Sequence, residues 1–327
     1  MFLEKVSMIK KKVLKLFLLF FEVVLFPFIL FSGIVLKIYR RFGPIRLPKN
    51  TFLLKKVGIY PLRNHYYEPR INYDAFDEKL SEERFLPGLD LRVEDQIQLL
   101  DKLNYQKDFE NFLLNQNKID PELVFTFKNG MIDTGDAEFL FNYIRHLKPS
   151  RVIEIGCGSS TKIISHALSL NDKKSEHICI EPYEQPWLEK MDNIKVFRQA
   201  LEEIDLKVFD KLDENDFLFI DSSHMIRPQG DVLREYLEVI PRLKAGVHIH
   251  VHDIFTPNDY PKAWLDEHML FWNEQYILEA LLHNKTSYEI VAGLNFLAKT
   301  YYDELKRVCP YLTPERQPGS FYFKKIS

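Results

Sequence analysis

The stretch RVIEIGCGSSTKIISHALSL, Arg151 to Leu170, decides the fold. It begins as a short apolar run that ends in glycine, and it continues with apolar residues at helical spacing. Gly156 and Gly158 allow a tight turn and the close approach of a ligand to the backbone, and Ser159 and Ser160 can cap the following helix. The stretch therefore predicts a strand, a glycine turn and a helix, which is the repeating unit of an α/β sheet.

The same alternation continues toward the C-terminus. Short apolar runs end in polar or turn residues, and helical segments lie between them; the runs are HICIEP, IKVFRQA, DFLFIDSS, GVHIHVHDIF, YEIVAGLNFLAK and GSFYFKKI. They predict a doubly wound, mostly parallel seven-stranded sheet with helices on both faces. The last run is expected to be antiparallel at the edge of the sheet. Ligands of such sheets bind beyond the carboxyl ends of the strands.

The glycine turn lacks the third glycine of the dinucleotide-binding fingerprint. Glu154 precedes the turn, and Glu181 ends the next strand, in CIEP. Two acidic positions placed in this way around a glycine turn resemble class I S-adenosylmethionine-dependent methyltransferases. The resemblance, over roughly residues 135–326, implies a Rossmann-like methyltransferase fold, S-adenosylmethionine as cofactor and a carboxylate of Glu181 that accepts both ribose hydroxyls. It implies a cofactor site that comprises Glu154, Gly156, Gly158, Ser159, Ser160, Glu181 and Asp221.

The fourth and fifth strands end in FIDSSH and HVHDIF. Because neighbouring parallel strands end on the same side, Asp221 and Asp253 are expected to approach one another and to form a site for a hard cation such as Mg²⁺. The chain also resembles the methyltransferase group found beside sugar- and natural-product-modifying enzymes, whose fifth strand ends in two aspartates. His252 replaces the first of them. Two ways of preparing an acceptor hydroxyl remain open: His224 or His252 takes its proton beside Asp221, or the cation lowers its pKa.

The histidines of HIHVHDIF alternate along one strand. Alternate residues share a face, so His248 and His252 lie about 13 Å apart and cannot readily bind one ion. His248 and His250 are therefore interpreted as hydrogen-bonded structural residues. Only His252 and Asp253 are expected to reach the ligand crevice.

The segment Val13 to Lys37 is apolar and about long enough to cross a bilayer. Basic residues flank it on both sides, which a single crossing does not satisfy. Pro27 can bend the helix, so an interfacial hairpin on the cytoplasmic leaflet, a single span and a buried helix remain alternatives. We expect a membrane-associated segment over residues 1–41, a loop-rich lead-in over 42–130 with a helix near Val93 to Leu114, and a cytoplasmic methyltransferase domain over 131–327.

Composition narrows the function further. The 44 basic and 47 acidic residues give no field that would attract nucleic acid. The three cysteines lack the spacing of a disulfide framework or a zinc knuckle. The sequence predicts O-methylation of a glycan, a lipid-linked or a natural-product acceptor. The alternatives are an NAD(P)-dependent oxidoreductase and a non-catalytic membrane-bound scaffold.

Overall fold

The computed structural model describes residues 2–59, 61–62, 80, 82–116, 120–183, 185–266, 268–283 and 286–327, without the side chains of 2–13 and 266. Much of the lead-in, residues 63–79, thus lies outside the described residues. The chain divides into two compact units, Met1–Phe76 and Asp77–Ser327.

The first unit contains one long helix, α1 (Phe2–Phe42), and a short one, α2 (Pro48–Val57). Helix α1 is continuous through Pro27, so the predicted hairpin is not formed. Pro27 removes a single backbone donor, and the helical hydrogen bonds on both sides of it persist. The part Leu14–Phe42 has a mean hydropathy of 2.5 and is long and apolar enough to cross a membrane by length and composition.

The second unit begins with two helices in place of the one predicted near Val93 to Leu114. They are α3 (Val93–Lys102) and α4 (Gln106–Leu114). The chain leaves the helix at Leu103, whose side chain is 1% exposed, and the Tyr105 amide donates to Asn142 Oδ1 at 2.8 Å. The bond to Asn142 gives the Tyr105 amide a partner outside the helix, and burial of Leu103 adds apolar contact at the break.

Seven strands form one sheet. They are β1 (Arg151–Ile155), β2 (Glu176–Ile180), β3 (Ile194–Phe197), β4 (Phe217–Ile220), β5 (His248–Val251), β6 (Tyr288–Gly293) and β7 (Phe321–Lys325). Their order is β3-β2-β1-β4-β5-β7-β6, and β7 is antiparallel to both of its neighbours. The sheet is thus mixed. Strand β7 is antiparallel as predicted, but it lies inside the sheet, whereas β6 forms the edge.

The position of β7 follows from its side chains. Phe321, Tyr322 and Phe323 are at most 1% exposed although successive residues face opposite sides. A strand buried on both faces needs a neighbour along each edge, because an unpaired edge would leave buried backbone groups without partners. In β6, by contrast, Tyr288 and Glu289 are only half-buried.

Helices cover both faces of the sheet. They are α5 (Asp136–Leu147), α6 (Ser159–Ser169), α7 (Asp231–Arg234), α8 (Ile240–Arg242), α9 (Lys262–Asp266), α10 (Glu274–Leu282), α11 (Leu294–Thr300) and α12 (Tyr302–Val308). A π-helical turn, Glu235–Val239, joins α7 to α8. Alternation along β1 divides the core, since Val152 joins the cluster of α5 and α6 whereas Ile153 joins the cluster of α7 and α8. The strand order reverses between β1 and β4, which is where ligands of such sheets bind.

Candidate active site

The turn after β1 requires glycine at one position. Gly156 has φ of 76°, and a Cβ built there would lie 1.8 Å from the carbonyl oxygen of Asp221. Its amide donates to the Ile180 carbonyl at 3.0 Å. The ends of β1, β2 and β4 therefore meet at this residue.

A cavity of about 480 Å³ opens beside the turn, which is within the usual range for small-ligand sites. Its lining includes Gly156, Glu181 and Asp221 from the ends of β1, β2 and β4. Further lining residues are Met131, Ile155, Cys157, Ile180, Pro182, Tyr183, Ala200, Leu201, Glu202, Ser222, Ser223, Arg227 and Asp231. The cavity therefore lies at the carboxyl ends of the strands.

Glu181 presents a fixed carboxylate to this cavity. It is 8% exposed, its Oε2 accepts the Cys157 amide at 3.2 Å, and its Oε1 accepts the Tyr183 amide at 2.9 Å. The two backbone bonds thus fix the orientation of the carboxylate at the cavity.

Four other residues that are predicted to bind the cofactor do not line this cavity. Glu154 is fully buried and faces away from the cavity, because Ile155, the next residue of β1, lines it. The Ser160 hydroxyl donates to Glu154 Oε1 at 2.5 Å. Gly158 is covered by the Met131 side chain, which a Cβ at Gly158 would meet at 2.4 Å.

Glu154, Gly158, Ser159 and Ser160, which are predicted to bind the cofactor, are thus not among the residues that line this cavity. Glu154 and Ser160 bond each other below the turn, and the Ser159 hydroxyl contacts Met131 Sδ at 3.9 Å. Gly156, Glu181 and Asp221 do line the cavity.

A cluster of titratable side chains lies at the ends of β4 and β5. The His224 Nε2 atom is 3.2 Å from Asp221 Oδ1 and 3.6 Å from Asp253 Oδ2. One ligand atom from each of the three residues lies within 4.8 Å of the others. His224 and Asp253 both have a left-handed backbone, with φ of 57° and 58°. Such strain in non-glycine residues is concentrated at functional sites.

Sequence reasoning assigned no role to Glu274, which completes this cluster. Glu274 is fully buried, and its Oε2 accepts from His224 Nδ1 at 2.8 Å. The Tyr236 hydroxyl donates to Glu274 Oε1 at 3.1 Å. The one available signal was a polar residue at the start of an otherwise apolar helix, and its partner lies 50 positions earlier in the chain.

The cluster fixes protonation states. Burial opposes a charge on His224, but hydrogen bonds to Asp221 and Glu274 outweigh it and raise the pKa of His224 well above its ordinary value. Burial also opposes ionisation of Asp221, yet His252 and His224 hold its pKa below the ordinary value. For Asp253, burial prevails and raises the pKa. Positive charge on His224 is therefore balanced by the surrounding carboxylates.

The histidines of β5 divide in a different way from the prediction. His252 is 3% exposed; its Nδ1 lies 3.5 Å from the Ser320 hydroxyl, and its Nε2 lies 3.7 Å from Asp253 Oδ1. His248 Nδ1 shares a hydrogen bond of 2.6 Å with Tyr143. His250 stacks on Phe219 at 4.2 Å, and among the described residues neither of its ring nitrogens has a hydrogen-bond partner. Burial lowers the pKa of His248 to about 3 and lowers that of His250 well below its ordinary value.

Aromatic side chains lie next to the cluster. The ring of Trp272 is 4.3 Å from that of His224 and 5.2 Å from that of Trp264. The sequence between Tyr260 and Leu282 forms two short helices, α9 and α10, with Trp272 in the connection. Trp264 and Trp272 are half-buried, so part of this aromatic surface remains open.

Comparison with known proteins agrees with this architecture. Residues 153–254 match a family model described as a methyltransferase domain. A protein from Archaeoglobus fulgidus, which carries no assigned function, is 29% identical over 176 residues, 49% of this chain and 77% of that protein.

Among solved structures, the chain is similar to an S-adenosylhomocysteine-bound methyltransferase from Podospora anserina, with a TM-score of 0.41 and 16% identity over 75% of this chain and 99% of that one. A putative O-methyltransferase from Klebsiella pneumoniae has a TM-score of 0.40 and 13% identity over 68% and 100% of the two chains. The family match covers β1 to the end of β5, the part of the chain that carries the glycine turn, Glu181, Asp221 and Asp253. Residues 153–254 thus carry a methyltransferase domain.

Proposed function

We propose that the enzyme transfers the methyl group to a hydroxyl oxygen, on a glycan, a lipid-linked or a natural-product acceptor. The carboxylate and imidazole cluster of Asp221, His224 and Asp253 beside the cavity carries this proposal. A hydroxyl is a weak nucleophile because its pKa is high. It therefore needs a partner that takes up its proton or stabilises the negative charge that forms on its oxygen. A cluster of this composition offers such a partner.

The cavity suits S-adenosylmethionine, which would supply an electrophilic methyl group. Glu181 would accept the two ribose hydroxyls with its carboxylate, which the amides of Cys157 and Tyr183 orient. Gly156 would let the cofactor approach the backbone closely. Asp221 lies where the cavity adjoins the cluster and would help to orient both ligands.

Two ways of readying the acceptor are proposed from the cluster. In the first, a carboxylate of the Asp221–His224–Asp253 group accepts the hydroxyl proton, and His224 balances the charge. Glu274 holds the His224 ring in place. In the second, Asp221 and Asp253 bind a divalent cation such as Mg²⁺, for which oxygen ligands are suited, and the cation lowers the pKa of the hydroxyl. His252 lies 3.7 Å from Asp253 Oδ1, and as a buried neighbour of this carboxylate it is a second candidate for the base.

We further propose that α1 attaches the enzyme to the cytoplasmic face of a membrane. The apolar part Leu14–Phe42 supports this proposal, because none of its most hydrophobic stretch is buried. Arg40 and Arg41 lie in the last turn of α1, where they can contact anionic headgroups. A membrane location brings the active site within reach of lipid-linked acceptors.

Calorimetry of the full-length protein in detergent tests the proposal. S-adenosylmethionine and S-adenosylhomocysteine should each bind at one site per chain. Addition of magnesium should leave the number of sites unchanged for both compounds. A candidate hydroxyl-bearing acceptor is then tested for mass gain of one methyl group, with and without a chelator. Loss of turnover on chelation supports the cation, and turnover that survives chelation supports the carboxylate base. Methylation that falls on nitrogen or carbon would contradict the proposed chemistry.

A further inference from the structure

A second cluster of chemically active side chains lies below the glycine turn, and only one of its members, Cys157, also lines the cavity. It consists of Glu154 on β1, Cys157 in the turn, and His177 and Cys179 on β2, all at most 4% exposed. The two strands place them on one face, because Glu154 is paired with Cys179 in the parallel register and His177 lies two residues earlier. This donor set contains two sulfurs, an imidazole nitrogen and a carboxylate oxygen.

The distances between donor atoms match the edges of a tetrahedron around one ion. Bond lengths of about 2.3 Å to sulfur, 2.05 Å to nitrogen and 2.1 Å to oxygen give tetrahedral edges of about 3.4 Å (N to O) and 3.6 Å (S to N and S to O). The observed distances are 3.0 Å from His177 Nε2 to Glu154 Oε2, 3.7 Å from Cys179 Sγ to His177 Nε2, and 3.8 Å from Cys179 Sγ to Glu154 Oε2. Three of the four donors therefore already converge on a common point.

Cys157 supplies the fourth donor. Its sulfur lies within 4.8 Å of a Glu154 oxygen and of the Cys179 sulfur. At present it contacts the carbonyl oxygens of Glu154 and Ile180 at 3.7 and 3.9 Å, which are weak contacts that a side-chain rotation can exchange for a metal bond. A closed site with four protein ligands is the arrangement of structural zinc.

The surroundings also suit such a site. The Ser160 hydroxyl donates to the other oxygen of Glu154 at 2.5 Å and so holds this ligand in place. Trp187 and Leu188 form an apolar shell around the two sulfurs. His177 also lines a surface cleft of about 770 Å³, which gives an ion a path to the site.

We infer that Glu154, Cys157, His177 and Cys179 form a structural site for a zinc-class divalent cation that fixes the cofactor turn. Binding displaces the two thiol protons and the proton that His177 Nε2 presents to Glu154; all three pass to solvent, and the metal takes two sulfurs, one nitrogen and one oxygen as ligands. The inference is independent of which acceptor the enzyme methylates. It also differs from the Asp221–Asp253 site, which has no sulfur donor.

Cobalt substitution tests this inference on the full-length protein. Purified protein is stripped with a chelator and titrated with Co²⁺ and, separately, with Zn²⁺. The site predicts one tightly bound ion per chain, visible bands of tetrahedral cobalt and an ultraviolet sulfur-to-cobalt charge-transfer band. Only sulfur ligation produces the last band, so binding at Asp221 and Asp253 cannot imitate it. Cobalt binding without charge transfer, or no binding at all, would overturn the inference.

Variants identify the ligands. Cys179→Ser removes one of the two sulfur ligands, so it should lower the intensity of the charge-transfer band by about half and weaken Zn²⁺ binding by more than the roughly 10–100-fold that loss of a ligand's supporting partner costs. Cys309→Ser is the matched control, because Cys309 is an equally buried thiol that contacts Gly135 and no residue of the cluster. Equal metal binding in both variants would count against the site. A disulfide between Cys157 and Cys179 in the freshly purified protein, found by mass spectrometry without reductant, would also overturn it.

Discussion

Replacement of Glu181 by glutamine should weaken cofactor binding by a predictable amount. Glutamine keeps the size of the side chain and one carbonyl oxygen, but its NH₂ group cannot accept a hydrogen bond. One of the two proposed ribose contacts is therefore lost, and a hydrogen bond to a charged group contributes about 1.5–3 kcal/mol. The expected loss of affinity for S-adenosylmethionine is about 10- to 150-fold.

The same change has a cost in stability. The carboxylate of Glu181 accepts amides from Cys157 and Tyr183 with different oxygens, and the glutamine NH₂ group must face one of them. A buried amide left without an acceptor costs about 1–3 kcal/mol, which chemical denaturation can measure. Loss of affinity without this loss of stability would indicate that Glu181 is less fixed than the structure shows.

The assay is calorimetric titration of the full-length protein with S-adenosylmethionine and with S-adenosylhomocysteine. Glu176→Gln is the matched control, since it makes the same substitution at the opposite end of β2, where the side chain is 42% exposed and contacts Arg151. The control should bind as the unmodified protein does. Affinity within twofold of the unmodified protein in Glu181→Gln would refute the assignment of Glu181 to the ribose.

Three further predictions concern other parts of the chain. Burial raises the pKa of Glu138 from 4.5 to about 7, so ionisation of this side chain destabilises the folded state. The free energy of unfolding should therefore fall by about 3 kcal/mol between about pH 4.5 and 7. Glu138→Gln should remove this part of the pH dependence, as measured by urea denaturation. Glu274→Gln should lower the pKa of His224, read from its ring signals by NMR in the presence of a chelator, because a charged partner is lost. Leu25→Arg with Ile29→Arg should release the protein from membranes on carbonate washing, since each arginine costs about 2.5–3.5 kcal/mol at the centre of a spanning helix.

Each of these changes has a control. A pH profile of Glu138→Gln parallel to that of the unmodified protein would show that another group causes the fall in stability. Glu279→Gln, on the same helix as Glu274 but bonded to Arg84, should leave the His224 titration unchanged. Leu53→Arg with Val57→Arg places the same charges on exposed positions of α2 and should leave the protein in the membrane fraction.

The sequence was informative where local chemistry determines the result. The glycine turn required Gly156, because no other residue fits φ of 76° beside the Asp221 carbonyl. The rule that parallel strands end on one side placed Glu181 at the cavity and brought Asp221 near Asp253. These inferences needed only the order of strands and turns.

The remaining features depend on contacts between distant parts of the chain. Glu154 was assigned to the cofactor, although the alternation along β1 turns it to the face opposite Ile155 and toward His177 of the next strand. Glu274 meets His224 only because α10 packs against the end of β4, and β7 lies between β5 and β6 through pairing that local patterns do not encode. Continuity of α1 through Pro27 was likewise undetermined, since a proline removes one hydrogen bond but does not dictate a bend of any given size.

Binding of S-adenosylhomocysteine to the full-length protein tests the central assignment most directly, because it needs no knowledge of the acceptor. The structure predicts one site per chain, competition by S-adenosylmethionine and weaker binding in Glu181→Gln. Under the same conditions NAD⁺ and NADPH should produce no competing signal, since the turn lacks the third glycine of their fingerprint. A folded protein that binds neither sulfur nucleoside, or that binds a nicotinamide dinucleotide at this cavity instead, would contradict the methyltransferase assignment.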